Sequence, residues 1–364
     1  MSVLLFIGIL LILIVTHEFG HFAVAKLLGM RVDEFGIGFP PRIWGKKIGA
    51  TLYSINWIPF GGFVAIPGEN YEDAHNEELL IDPTSFATKP KWAQALVLLA
   101  GVAMNWLTAF VIITFGFIYG LPVPVSEAPS TATIINSRLL VTQVLDGSAA
   151  QQGGLTIGDE LLYLETPNDS AQDLTADDVL MFVRAHETDA ITVLFRRGDG
   201  ETQKRVITPS PLFEERPVLG IGMEQVGIAT LPFFSAVKES FVTTARLTVA
   251  IGYGFYYLIA DTVSGQADFS AISGPVGLVG MVGDANSIGF IYVLTLMAVI
   301  SLNLAVLNLV PFPALDGGRL LFVIIEAVKG SPLSPKIASR LNAIGFFALI
   351  GLMLVVTVMD IIKL

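Results

Sequence analysis

Four stretches of this chain are long and apolar enough to cross a hydrocarbon core, which takes a helix of about 20 residues. The first runs from Ser2 to about Leu28 and meets no charge before Glu18. The second follows Lys91 and is uncharged up to Glu127. The third lies between Asp284 and Asp316, the fourth between Arg340 and Asp360. In lipid the backbone must satisfy its own hydrogen bonds, so such stretches fold as helices. Composition agrees: 53% of the residues are hydrophobic and 15% charged, where soluble domains carry about 25% charge. A fifth apolar stretch, Leu247–Ala260, is short and has Arg246 at its edge. It predicts an interfacial or re-entrant helix. The first stretch lacks a basic n-region and a small-residue cleavage site, so it reads as a retained span.

Basic residues orient these spans. Lys26, Arg31, Arg42, Lys46, Lys47, Lys89 and Lys91 cluster between the first two. Arg319, Lys329, Lys336 and Arg340 cluster between the last two. The positive-inside rule puts both loops in the cytoplasm, and both termini and the long middle segment outside. That places the chain as a multi-pass protein of the cell (inner) membrane. A net charge of −11 argues against nucleic acid as a partner. The absence of cysteine excludes disulfides and thiolate metal ligands.

The middle segment changes character. Apolar runs such as Leu139–Leu145 and Ala190–Phe195 alternate with turn signals at Asp146-Gly147, Gly158-Asp159 and Gly198-Asp199-Gly200. This pattern predicts a small β-rich domain with one or two helices.

Chemistry is concentrated in the first span, at His17-Glu18-Phe19-Gly20-His21. In a helix, residues four apart share a face, so both imidazoles can bind one metal. Glu18 beside them can take a proton from a water that the metal activates. The bland alternative is a chance match, but ionisable groups inside a span are expensive and are usually functional. A catalytic zinc needs three protein ligands and an open position. His75 and His186 lie in polar segments, which leaves Asp316, the lone carboxylate that ends the third apolar run, as the best candidate. Its structural alternative is to cap a helix over 319–328.

The order and content of these motifs resemble the site-2 protease family, in particular its bacterial regulator-of-sigma-E branch. His17 to Phe22 and the run Asn308-Leu309-Val310-Pro311-Phe312-Pro313-Ala314-Leu315-Asp316-Gly317-Gly318 carry the resemblance. It implies zinc, one per chain, with the third ligand at Asp316. Gly36-Ile37-Gly38-Phe39-Pro40 and Gly61-Gly62-Phe63-Val64 resemble the family's membrane re-entrant β-loop. Gly101-Val102-Ala103-Met104-Asn105 matches a Gly-x-x-x-Asn motif of the second span, with Val102 where relatives often have Pro. Ser273-Gly274-Pro275-Val276-Gly277 matches a segment before the third span. By the same resemblance Asn105 and Asn308 position substrate; their bland reading, shared by Asn303, is hydrogen bonding between helices.

Val141–Leu145, Gly147-Ser148-Ala149-Ala150 and Gly154–Leu162 resemble a PDZ domain. The chain has room for one, where many relatives carry two. Leu219-Gly220-Ile221 looks like the carboxylate loop of a circularly permuted version, or is simply a last strand packed in the core.

The reading is therefore a mainly α polytopic membrane protein of about four spans, with a re-entrant β-loop and an inserted β-rich PDZ domain. Residues 1–126 hold the N-terminal membrane part, 127–226 the PDZ domain, and 227–364 an interfacial segment and the C-terminal membrane part. The implied activity is zinc endopeptidase cleavage of transmembrane segments, with anti-sigma factors or remnant signal peptides as substrates. Glu34–Ile66 would hold the unwound substrate as an added strand. The rivals are a PDZ adaptor with a structural metal and a zinc transporter. Transporters string several ligands along a path, whereas this chain offers one cluster.

Overall fold

The computed structural model describes residues 1–69, 81–198, 200–211, 217–265 and 273–363. His75 and Asp199 lie outside the described residues. Among the described residues four helices have the length and apolar composition of membrane spans, and they fall on the four apolar stretches. They are α1 (Ser2–Leu27), α2 (Lys91–Tyr119), α7 (Phe290–Leu309) and α9 (Pro335–Lys363). Each is apolar on most of its circumference, as a helix surrounded by lipid must be. The molecule is an integral membrane protein, mainly helical with some sheet.

The chain divides into two compact units. One comprises Met1–Ile113, Ser240–Gly283 and Leu296–Leu364. Here α1 leads into two long strands, β1 (Glu34–Ile48) and β2 (Thr51–Ala65). Both strands bend, and β1 is paired on two sides: Phe35 faces both Tyr53 and Val64, and Ile37 faces both Ile55 and Gly62. Gly38 sits at the bend with φ +78°, a conformation that favours glycine. The buried Asn56 amide donates there to the carbonyl oxygens of Ile37 and Gly38 at 3.3 and 3.1 Å. The sheet lies on α1 through Phe22, whose ring meets those of Phe35 and Tyr53. A buried cluster including Ala25, Val32, Ile66, Phe86 and Val97 joins α1, the sheet and α2.

The same unit holds most of α5 (Phe233–Ser264), α6 (Pro275–Ile288), α8 (Asp316–Lys329) and α9. The fifth apolar stretch is not a short helix of its own. Leu247–Ala260 is the later part of the 32-residue α5, because once a helix is nucleated each further residue adds a bond cheaply. Asp360, near the end of α9, accepts the Gly274 and Gly277 amides at 3.2 and 2.7 Å, and so caps α6 from another helix.

The second unit comprises Thr114–Glu239 and Asp284–Thr295. It is built on a seven-stranded sheet of β3 (Leu121–Pro124), β11 (Ile221–Thr230), β4 (Thr133–Val144), β5 (Asp159–Glu165), β7 (Ile191–Arg197) and β8 (Thr202–Ile207), in that spatial order. The seventh strand, β6 (Ser170–Gln172), pairs with β5, and two short strands, β9 (Ser210–Pro211) and β10 (Pro217–Val218), pair with each other outside this sheet. Every pairing among these strands is antiparallel. Two helices accompany the sheet, α3 (Ala149–Gln152) and α4 (Ala176–Ala185). Thr175 and Asp178 close a capping box at the start of α4. Asp159, fully buried, is paired with Arg197 at 2.7 Å.

Candidate metal centre

His17 and His21 project from one face of α1 with their Nε2 atoms 3.1 Å apart. Asp316 Oδ2 stands 3.1 Å from His17 Nε2 and 3.3 Å from His21 Nε2. Three donors on one face of a tetrahedron, each about 2.0–2.1 Å from a zinc ion, lie about 3.3 Å from one another. The observed triangle has that size. Asp316 Oδ2 is buried without a hydrogen-bond partner, an orphan that a bound cation satisfies. The residues fit zinc: two imidazoles and a carboxylate, in the numbers a catalytic site uses.

Asp316 does not cap α8. It is the first residue of that helix, Leu315 occupies the cap position, and no side chain caps the end. Its carboxylate points to the imidazoles instead. The turn before it is tight: Ala314 has φ +76° and its N–H donates to Asn342 at 3.3 Å. A left-handed non-glycine residue costs about 1–2 kcal/mol and persists only where its surroundings impose it. Gly317 and Gly318 follow because a Cβ on either would run into the carbonyls of Val310 and Phe312.

The imidazoles are held from α2. His21 Nδ1 donates to the Val97 carbonyl at 2.8 Å. Asn105 is 1% exposed and its amide lies 3.2 Å from His17 Nδ1. Between them Gly101 leaves an empty place that both rings enter. A Cβ there would lie 2.6 Å from His17 Cε1 and closer still to His21 Nε2. Gly20 in turn lets α1 approach the Ala100 carbonyl. Residues 97, 101 and 105 recur every four along α2, so one stripe of that helix cradles both rings.

Glu18 is half-buried on α1, and β2 passes beside it: a Cβ on Gly62 would lie 3.2 Å from Glu18 Cγ. Glu69, just after β2, pairs with Arg319 of α8. Burial raises the Glu69 carboxyl above the usual range, while Arg319 pulls it down. The sequence reading missed Glu69; its only signal was a carboxylate following Pro67-Gly68.

The other expected residues are placed differently. Asn308 is half-buried near the end of α7, eight residues before Asp316. Asn303 bonds the Val299 carbonyl of its own helix at 2.9 Å. Leu219 packs into the core of the β-rich unit, Gly220 has φ +75°, and Ile221 opens β11 opposite Val144. His186 stands in that unit with Asp169 at 3.8 Å.

Comparison with known proteins accords with this geometry. Peptidase family M50 matches residues 5–352. A candidate zinc metalloprotease of Clostridium perfringens is 33% identical, with 96% of this chain and 95% of that protein covered. Another from Synechocystis is 32% identical over 97% and 93%. Regulator of sigma-W protease RasP of Bacillus subtilis is 28% identical over 99% and 98%. The chain belongs to peptidase family M50, the site-2 proteases, and is a zinc metalloendopeptidase.

Proposed function

We propose that the protein cleaves transmembrane segments of other membrane proteins, at a zinc site formed by His17, His21 and Asp316. The observation that carries this is the triangle of donors, 3.1 to 3.3 Å on a side, assembled from two helices in a membrane-spanning chain. Zinc, when bound, supplies a Lewis acid that polarises a carbonyl and acidifies water. Glu18 takes the proton of the attacking water and returns it to the leaving amine.

Position along the spans supports an attack near the cytoplasmic side. His17 and His21 lie in the second half of α1, Val97 and Asn105 between the start and the midpoint of α2, and Asp316 beyond the end of α7. With the basic loops inside, all three points fall at the same membrane face.

The β1–β2 sheet supports a re-entrant role. Phe39, Ile43, Trp44, Trp57 and Ile58 are exposed on it, a composition suited to the membrane interface. A helical substrate hides its carbonyls in i→i−4 bonds and must unwind before attack. A strand added to this sheet beside Glu18 regains those bonds where water is scarce.

The β-rich unit reads as a single extracytoplasmic PDZ domain over residues 127–226. Strand β3 joins β11 only from Val226 onward, so residues 221–225 pair with β4 on one side, and α4 packs near β11. An extended peptide tail fits such an edge. The name of the Bacillus subtilis relative connects it to sigma-W. Anti-sigma factors and remnant signal peptides are the substrate classes that the family resemblance suggests.

The test is metal content and cleavage measured together on the purified protein with a transmembrane peptide. Glu18→Gln should keep about one zinc per chain and lose nearly all cleavage. His17→Ala, His21→Ala and Asp316→Asn should lose both, because a neutral amide oxygen is a poor zinc ligand. Full zinc content and activity in Asp316→Asn would remove the three-donor site. Cleavage outside the apolar part of the peptide would remove the intramembrane reading.

A further inference from the structure

We infer that Asn105 is a positioning residue for His17: its amide oxygen accepts the proton of His17 Nδ1 and fixes the tautomer that presents Nε2 to the metal. This rests on the zinc site proposed above and replaces the expectation that Asn105 positions substrate. An imidazole that ligates through Nε2 carries its proton on Nδ1 and needs an acceptor there. His21 has one in the Val97 carbonyl at 2.8 Å. For His17 the neighbour is the Asn105 amide at 3.2 Å.

Two arrangements of that amide are open. With its NH2 towards His17, Nδ1 must be the bare nitrogen. The ring proton then sits on Nε2, pointing among His21 and Asp316, and Asn105 Oδ1 is buried without a partner. A half-turn of the amide exchanges its two ends, which have the same shape. Oδ1 then accepts from Nδ1–H and Nε2 is free to ligate. The half-turn leaves the NH2 unpaired in place of the oxygen, so the number of orphans is unchanged. The imidazole decides between the two, since only the second gives the metal side a lone pair. The backbone that carries this side chain is tied to α7: Ser301, fully buried there, donates to the Asn105 backbone carbonyl at 2.8 Å.

The acceptor role separates from a donor role by substitution, with zinc affinity as readout. Zinc is titrated into the full-length protein in detergent against a chromophoric chelator. Asn105→Leu, similar in volume but without an acceptor, should weaken zinc about 10–100-fold. Asn105→Asp keeps an acceptor and cannot donate, so its zinc affinity should equal or exceed that of the native protein. An affinity for Asn105→Leu within twofold of native, at an unchanged helical circular-dichroism spectrum, overturns the inference. If the leucine variant does not fold, the aspartate variant decides alone, and a tenfold loss of zinc in it overturns the inference. His17→Ala runs alongside. Zinc retained there would defeat the zinc site itself, whereas zinc lost there but kept in Asn105→Leu would defeat only the role of Asn105.

Discussion

One methyl group decides whether the centre can form. Gly101 lies directly beneath the two imidazoles, and a Cβ there would meet both. Alanine is the better helix former by about 1 kcal/mol, so Gly101→Ala should leave α2 intact. Its expected effect is loss of zinc at unchanged helical content, measured by metal analysis and circular dichroism. Tightly bound zinc in the alanine variant would show that the rings have room to move. The two histidines and Glu18 were readable because an i, i+4 pair on a helix needs no knowledge of the rest of the chain. Asp316 was readable as a lone carboxylate closing an apolar run. The parts played by Gly101 and Val97 were not. Small residues and backbone carbonyls carry no chemical label, and only the approach of α1 to α2 gives them a role.

The β1–β2 sheet and the capped helix α6 make separate expectations. Proline placed in turn through Gly61–Ala65 removes backbone donors from the stretch of β2 nearest Glu18. At least one tolerated substitution should slow peptide cleavage while zinc content stays native, and uniform native rates would make the sheet structural only. Asp360→Leu takes the acceptor away from the Gly274 and Gly277 amides. A cost of about 1–2 kcal/mol is expected, with Asp360→Asn close to native, as read from unfolding in detergent. Equal stability of the two variants would mean that the cap contributes nothing. The helices themselves were visible in hydropathy, since a span is a local property of its own residues. The double pairing of β1 was not, because register between bent strands depends on turns that leave little trace in composition. The full extent of α5 was not legible for a related reason: its first turns mix apolar with polar and charged residues, and an uninterrupted apolar run marks only the later part.

Across the whole chain, sidedness is the open expectation. The native sequence has no cysteine, so single replacements report without background. Ser331→Cys, between the last two spans, should be shielded from an impermeant thiol reagent in intact cells, and Asp189→Cys in the β-rich unit should be labelled. The reverse pattern would invert the orientation. The number and order of spans could be read from sequence. The inclusion of Asp284–Thr295 in the β-rich unit could not, since it is a contact between segments far apart in the chain. The same remoteness bears on the metal donors. His21 and Asp316 are separated by nearly 300 positions. At about 5–20 residues per second, a nascent chain carries both imidazoles for roughly 15–60 s before its carboxylate exists. On the three-donor reading proposed above, the zinc site is thus incomplete through that interval of synthesis, and the chain is inert until residue 316 has been made.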